Sequence, residues 1–277
     1  MLGLSSEAQQ FFSTKLYADK NLVLNVKQFG QFINRFNYEE DFNGNPVDEK
    51  FTSRFDRYNY IGLLFNAKDK RLKDSTYVDL IEQFVNFVVK DSMRINRLSD
   101  KIYALAKCNV VFNKVPQQLY LVLSIEKINE GYRWALYDAY AKFLTNGDDS
   151  AEFINSASES SKLIPPTSNE VNFSHLRNVF QDKSNLSQYI SKKSVGNGLI
   201  SLIHILKNND IEFNYVENLK YYIFDIRGWM IEVNEFIRND VNSGWLISDL
   251  GKCNENAKFH MSNMIDNLKN DGKKSPN

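Results

Sequence analysis

The sequence predicts an α+β fold in two similar halves, each with N-terminal helices packed on an antiparallel sheet. Three observations predict it. Helical periodicity gives way to period-two alternation within the first half. The same order returns in the second half. Two stretches, "GYRWALYD" at 131–138 and "SGWLISDL" at 243–250, each follow a Gly with a Trp and place an Asp four residues after that Trp.

The first half opens on "LVLNVKQFGQFINRF" (22–36), where Val23, Val26, Phe29, Phe32, Ile33 and Phe36 recur at helical steps and predict one apolar helix face. "FNGNP" (42–46) breaks that pattern as a turn. "RYNYIGLLF" (57–65) reads as a short helix. "TYVDLIEQFVNFVVKDSMRI" (76–95) reads as a long one, with Val78, Ile81, Phe84, Val85 and Val88 in a stripe and Asp74 or Ser75 as N-cap.

Period two then takes over. "YALAKCNVVFNK" (103–114), "QLYLVLSIEKI" (119–128) and "GYRWALYDAYAKFL" (131–144) predict three strands separated by "VPQ" and "NEG" at hairpin spacing. Leu121, Leu123 and Ile125 are expected on one face against a core, with polar or amphipathic positions on the other. The stretch 148–170, rich in Ser, Asn and acids and carrying Pro165-Pro166, is read as a linker. The domains are therefore placed at 1–147 and 171–277.

In the second half "VNFSHLRNVFQD" (171–182) and "SVGNGLISLIHILKNN" (194–209) read as helices, the latter capped by Ser194. "NLKYYIFDIR" (218–227), "WMIEVNEFIR" (229–238) and "SGWLISDL" (243–250) read as strands, followed by a polar tail with a short helical stripe. Laid side by side, the halves pair Trp134 with Trp245, Asp138 with Asp249 and Glu126 roughly with Glu235.

Helices first, then an antiparallel sheet whose late strand carries a Trp just after a Gly ("GYRWAL", "SGWLIS"), resembles the NTF2-like (cystatin-like α+β cone) superfamily, here as two tandem copies. The resemblance implies a curved sheet wrapped around a long helix. It implies no catalytic residue, because none here matches the catalytic Asp or Tyr of the family's isomerases and dehydratases.

The bulk chemistry narrows function. The 277 residues are 43% hydrophobic and 25% charged, the balance of a globular protein. Lys+Arg and Asp+Glu are both 34, which supplies no basic excess for nucleic acid; "KDKRLK" (68–73) reads as a solvated connection between helices. No apolar run is long enough to span a membrane, and the start lacks the pattern of a signal peptide. Cys108 and Cys253 are read as buried thiols, with a disulfide as the alternative if the chain is exported.

No cofactor or metal is expected. His175, His204 and His260 share no ligand spacing, and His204 is read as a core histidine. "DFNGNP" (41–46) fails the calcium-loop pattern at its sixth and twelfth positions, Pro46 and Thr52. "SVGNGL" (194–199) fails as a phosphate loop.

The candidate site residues are Trp134, Asp138, Trp245 and Asp249. In a regular strand, Trp134, Leu136 and Asp138 share a face, as do Trp245, Ile247 and Asp249. A carboxylate beside an aromatic wall acquires a raised pKa and serves as a general base. The simpler reading puts each Trp in the core and each Asp at a strand end, and it is favoured. The sequence thus points to a non-enzymatic binding or interaction protein, whose partner is an unidentified protein or small ligand and whose Tyr-rich strands (Tyr120, Tyr132, Tyr137, Tyr221, Tyr222) offer an aromatic surface. The alternatives are an isomerase- or hydrolase-like enzyme with an acid in a cone pocket, and a subunit of an envelope or secretion assembly.

Overall fold

The computed structural model describes residues 25–26, 28–48, 54–128, 131–144, 176–193, 197–208, 211–239 and 242–253. The expected linker at 148–170, the cap Ser194, the C-terminal tail, His175 and His260 lie outside the described residues.

The fold is α+β. In chain order it comprises β1 (Asn25–Val26), α1 (Phe29–Asn37), α2 (Arg54–Leu63), a 3-10 turn (Lys70–Lys73), α3 (Ser75–Lys90), β2 (Ile102–Phe112), β3 (Val115–Ile128) and β4 (Gly131–Tyr140). It continues with α4 (Leu176–Gln181), a 3-10 helix (Lys183–Tyr189), α5 (Asn197–Lys207), β5 (Ile211–Ile223), β6 (Trp229–Phe236) and β7 (Ser243–Lys252). Two compact units result. One takes its described residues from Met1–Arg97 and Ile223–Asn254, the other from Leu98–Tyr222. The first unit therefore joins the early helices to the last two strands, and does not follow a single cut at 148–170.

In the first unit β6 and β7 pair antiparallel, and β1 adds parallel to β7 through Asn25↔Ser243 and Val26↔Gly244. Val26 was expected in a helix. It lies instead in this short strand, and α1 starts only at Phe29, with Gln28 in extended backbone before it. The apolar faces of the helices bury as their periodicity requires. Phe29, Phe32, Ile33 and Phe36 of α1 and Val78, Ile81, Phe84, Val85 and Val88 of α3 are all 5% exposed or less. Asp74 caps α3 by accepting from the Thr76 amide at 2.9 Å. These faces meet aromatic residues of the strands: Phe29 lies edge-on to Trp245 at 6.2 Å, and Phe84 to Trp229 at 5.1 Å. The apolar surface of the sheet is thus spent on aromatic packing with the helices.

In the second unit the strand order is β5-β2-β3-β4. The β2–β3 connection is not at the expected "VPQ", which lies in β3. Asn113 and Lys114 form a two-residue turn with φ of 50° and 66°, the left-handed backbone that tight hairpins demand. Along β3 the expected one-sided burial gives way to burial on both faces: Leu121, Val122, Leu123, Ser124, Ile125 and Glu126 are all 5% exposed or less. β3 is central between two strands, and both of its faces are covered. β5 starts seven residues before the expected strand, since "IEFNYVE" continues the alternation.

Each unit carries a hairpin with one irregularity. In β3–β4 the register runs Ile125↔Trp134 and Leu123↔Leu136, then jumps to Val122↔Asp138. In β6–β7 it runs Glu235↔Trp245 and Val233↔Ile247, then jumps to Glu232↔Asp249. Tyr137 and Ser248 are the extra residues, each three after its Trp. The two bulges therefore fall at the same station. This register aligns Ile125, and not Glu126, with Glu235.

Candidate functional site

The bulges decide where the candidate acids point. Residues paired across antiparallel strands share a face, and adjacent residues on one strand alternate. Leu136 pairs with Leu123 and Asp138 with Val122, so Leu136 and Asp138 lie on opposite faces. Ile247 and Asp249 are separated in the same way, through Val233 and Glu232. The expectation that each Asp shares the face of its Trp fails, because one extra residue reverses the alternation beyond it. Trp134 and Trp245 face the core, at 0% and 2% exposure.

Each acid is engaged on its own side. Asp138 accepts from the Ala139 amide at 2.8 Å and from the Tyr140 hydroxyl. Beside it, Gly198 in the first turn of α5 approaches β4 so closely that a Cβ there would lie 1.9 Å from the Ala139 carbonyl oxygen and 3.4 Å from Asp138 Oδ1. Gly198 is thus a contact between helix and strand backbones, and α5 begins at Asn197. A carboxylate at this end of the helix also complements its dipole.

Asp249 is bound by Arg71. The guanidinium also takes the Ser248 carbonyl at 2.6 Å and Asp69 in a fork, Nε–Oδ1 at 3.1 Å and Nη2–Oδ2 at 2.7 Å. It stacks on the Tyr77 ring at 4.3 Å. A bulge leaves its extra residue unpaired in the ladder, and Arg71 satisfies that carbonyl. Burial alone would raise the Asp69 carboxyl, but the Arg71 hydrogen bonds outweigh it and hold the group below the usual carboxylate range. Burial, with the nearby acids adding to it, pushes the Tyr77 phenol up to about 12 despite Arg71.

Two features escaped sequence reasoning. The first is a buried ion pair between Glu126 and Arg133, with side-chain exposures of 5% and 2%. Arg133 also donates to the carbonyls of Gln188 and Ile190, and Glu126 accepts from Ser191 Oγ at 3.1 Å and the Lys192 amide at 3.0 Å. The charges are paired and hydrogen-bonded, as burial requires. They tie the segment 188–192 across β4, the edge strand of this unit's sheet, where Ile190 bridges Leu136 in parallel. The only sequence signal is a pair of opposite charges on either side of "NEG".

The second is an open cleft of about 730 Å³ lined by Arg177, Phe180, Gln181, Ile211, Glu212, Phe213 and Asn214. Phe180 and Phe213 form its aromatic pair, with ring centroids 4.8 Å apart, and Arg177 reaches the Asn214 carbonyl at 3.0 Å. The volume is in the range of small-molecule sites.

Other expectations divide. His204 is exposed, with its ring Nε2 3.2 Å from the Asn208 side-chain Nδ2, so it is no core histidine; Leu199, Leu202 and Leu206 carry the buried face of α5 instead. Asp41 accepts from the amides of Asn43 and Asn45, both at 2.8 Å, which makes "DFNGNP" a turn. Tyr221 and Tyr222 are buried, and so contribute nothing to an exposed aromatic surface. Cys108 is a buried thiol, and burial pushes it up to about 12; Cys253 is partly exposed, and neither is in a disulfide. Among the described residues, no group of three or more His, Cys, Asp or Glu is placed to hold a metal ion, and no helix is long and apolar enough to cross a membrane.

No family model matches the chain, and no solved structure matches it. It is similar to guanylate cyclase beta of Plasmodium berghei (strain Anka), 26% identical over 238 residues, covering 74% of this chain. The match spans 8% of that protein's length, and at this identity it assigns no family.

Proposed function

We propose that this chain is a non-enzymatic binding or protein-interaction protein built from two copies of an NTF2-like α+β unit. The observation that carries the first part is the pair of bulges. They turn Asp138 and Asp249 away from the core tryptophans, and local partners engage both acids. A general base needs a pocket in which a substrate proton can be reached, and neither acid shares a face with its aromatic wall. The matched bulge stations and the repeated order of elements support duplication. The helix-on-sheet packing in each unit supports the resemblance.

The cleft between α4 and β5 is the concave surface that suits a ligand. Its aromatic pair offers a floor, and Arg177 and Glu212 offer one charge of each sign. The test is a fragment and peptide screen read by amide correlation spectra of the 15N-labelled chain. Binding should shift the amides of Arg177, Phe213 and Asn214, and should survive Asp138→Asn and Asp249→Asn. Turnover of any compound that either substitution abolishes would overturn the proposal.

A further inference from the structure

The two hairpins are docked in the same way, each by a segment from the other half of the sequence. In the first unit the docked residue is Ile247, two after Trp245. Its amide donates to the Leu64 carbonyl at 2.8 Å, its carbonyl accepts from the Asn66 amide at 3.0 Å, and it forms a parallel bridge with Phe65. In the second unit the docked residue is Leu136, two after Trp134. Its carbonyl accepts from the Ser191 amide at 2.8 Å, and it forms a parallel bridge with Ile190. Phe65 and Ile190 thus hold one station, and Asn66 and Ser191 hold the next. Both lie just past a short helical stretch and before a longer helix, α3 or α5. Each longer helix then packs in the unit of the hairpin it serves: Phe84 of α3 against Trp229 of β6, and Gly198 of α5 against Ala139 of β4. The Asp beyond each bulge lies at the approach to that helix, Asp249 through Arg71 and Asp138 beside Gly198.

We infer that the two copies exchange their helical segments, so that the terminal hairpin of each copy is an interaction surface whose partner is the helical segment of the other. This rests on the duplication proposed above. Helices 54–90 precede the strands 102–140 in their own copy but dock on β6–β7. The segments 186–193 and 197–207 belong to the second copy but dock on β4 through Ile190, Ser191 and Gly198. A single crossing could be an accident of one loop. Two crossings with the same bridge, the same donor position and the same bulge describe a reciprocal exchange, the arrangement by which identical elements are swapped between protomers, here closed within one chain.

The exchange is tested on the full chain carrying a protease recognition sequence inserted between residues 148 and 170. After cutting, the two pieces should stay together in native buffer with the mass of one chain, 32.2 kDa plus the insert, and separate only in denaturant. In uncut and cut protein alike, the amides of Asn66, Ser191 and Ile247 should exchange with deuterium at least 100-fold more slowly than in an unstructured peptide, an order of magnitude set by local opening free energies. Separation into two folded species of half mass would overturn the inference. So would free exchange of those three amides in the uncut, folded chain. If the pieces hold together but no ligand shifts the cleft, the binding role fails and the exchange stands.

Discussion

Trp134 and Asp138 lie on opposite faces of β4, although four residues separate them, because Tyr137 is an extra residue in the pairing with β3. The indole is wholly buried, whereas the carboxylate binds its neighbours at the strand end. The two should therefore respond differently to substitution. Trp134→Ala and Trp245→Ala should each cost ~3–5 kcal/mol of unfolding free energy, the usual result of emptying an aromatic core site. Asp249→Asn removes a partly exposed ion pair and should cost less than ~1 kcal/mol. Urea denaturation followed by far-UV circular dichroism measures all three. A Trp variant as stable as the parent would show that its site is not core.

Two helical glycines should answer Ala in opposite directions. Gly62 in α2 has nothing within 4 Å of where a Cβ would sit. Gly62→Ala should stabilise by ~0.5–1 kcal/mol, since Ala restricts the unfolded backbone and favours helix. At Gly198 a Cβ would lie 1.9 Å from a backbone oxygen that no rotamer change can move. Gly198→Ala should destabilise by ~1–3 kcal/mol as α5 is pushed off β4, despite the same gain in propensity. Thermal melts of the two single variants test the contrast. Stabilisation by both would mean that α5 and β4 do not approach so closely.

The helices were legible because burial follows their periodicity: the α3 stripe stands as the sequence reads it, and of the two cap candidates, Asp74 and Ser75, Asp74 caps the helix. The strands were legible as elements but not in detail. A bulge carries no residue signal when its extra position is Tyr137 or Ser248, and neither side chain reveals that the alternation reverses there. One such residue in each hairpin moved that hairpin's candidate acid off the face expected of it. Val26 was misread because a two-residue strand is defined by its partner, not by its own pattern. The bonds that tie Glu126 and Arg133 to 188–192 span more than fifty residues, and the cleft joins segments more than thirty residues apart at Arg177 and Asn214, which no local spacing encodes.

The two cysteines should differ in reactivity. Cys108 is completely buried, and its thiol is pushed up to about 12, so almost none is thiolate at pH 8. Cys253 is partly exposed at the end of β7. In native buffer a thiol-specific disulfide reagent should modify Cys253 within minutes and Cys108 only on unfolding. Mass spectrometry of the quenched reaction reads the count. Two rapid additions to the folded chain would show that the core around Cys108 opens freely.

Asp41 sets a pH dependence that one substitution should remove. Burial alone would raise its carboxyl, but the amides and side chains of Asn45 and Asn43 donate to it and hold it below the usual carboxylate value. A carboxyl with a depressed folded pKa binds its proton less readily in the native state than in the unfolded one. Its contribution is therefore fully present above the unfolded value, about 3.9, and is lost as pH falls through the lower folded value. Asp41→Ala deletes the acceptor. The stability difference between wild type and Asp41→Ala should be constant from pH 7 to pH 5 and shrink as pH falls from 5 towards 2.5. Paired urea titrations at each pH give that difference. A gap that widens on acidification would reverse the sign and exclude the turn hydrogen bonds as its source.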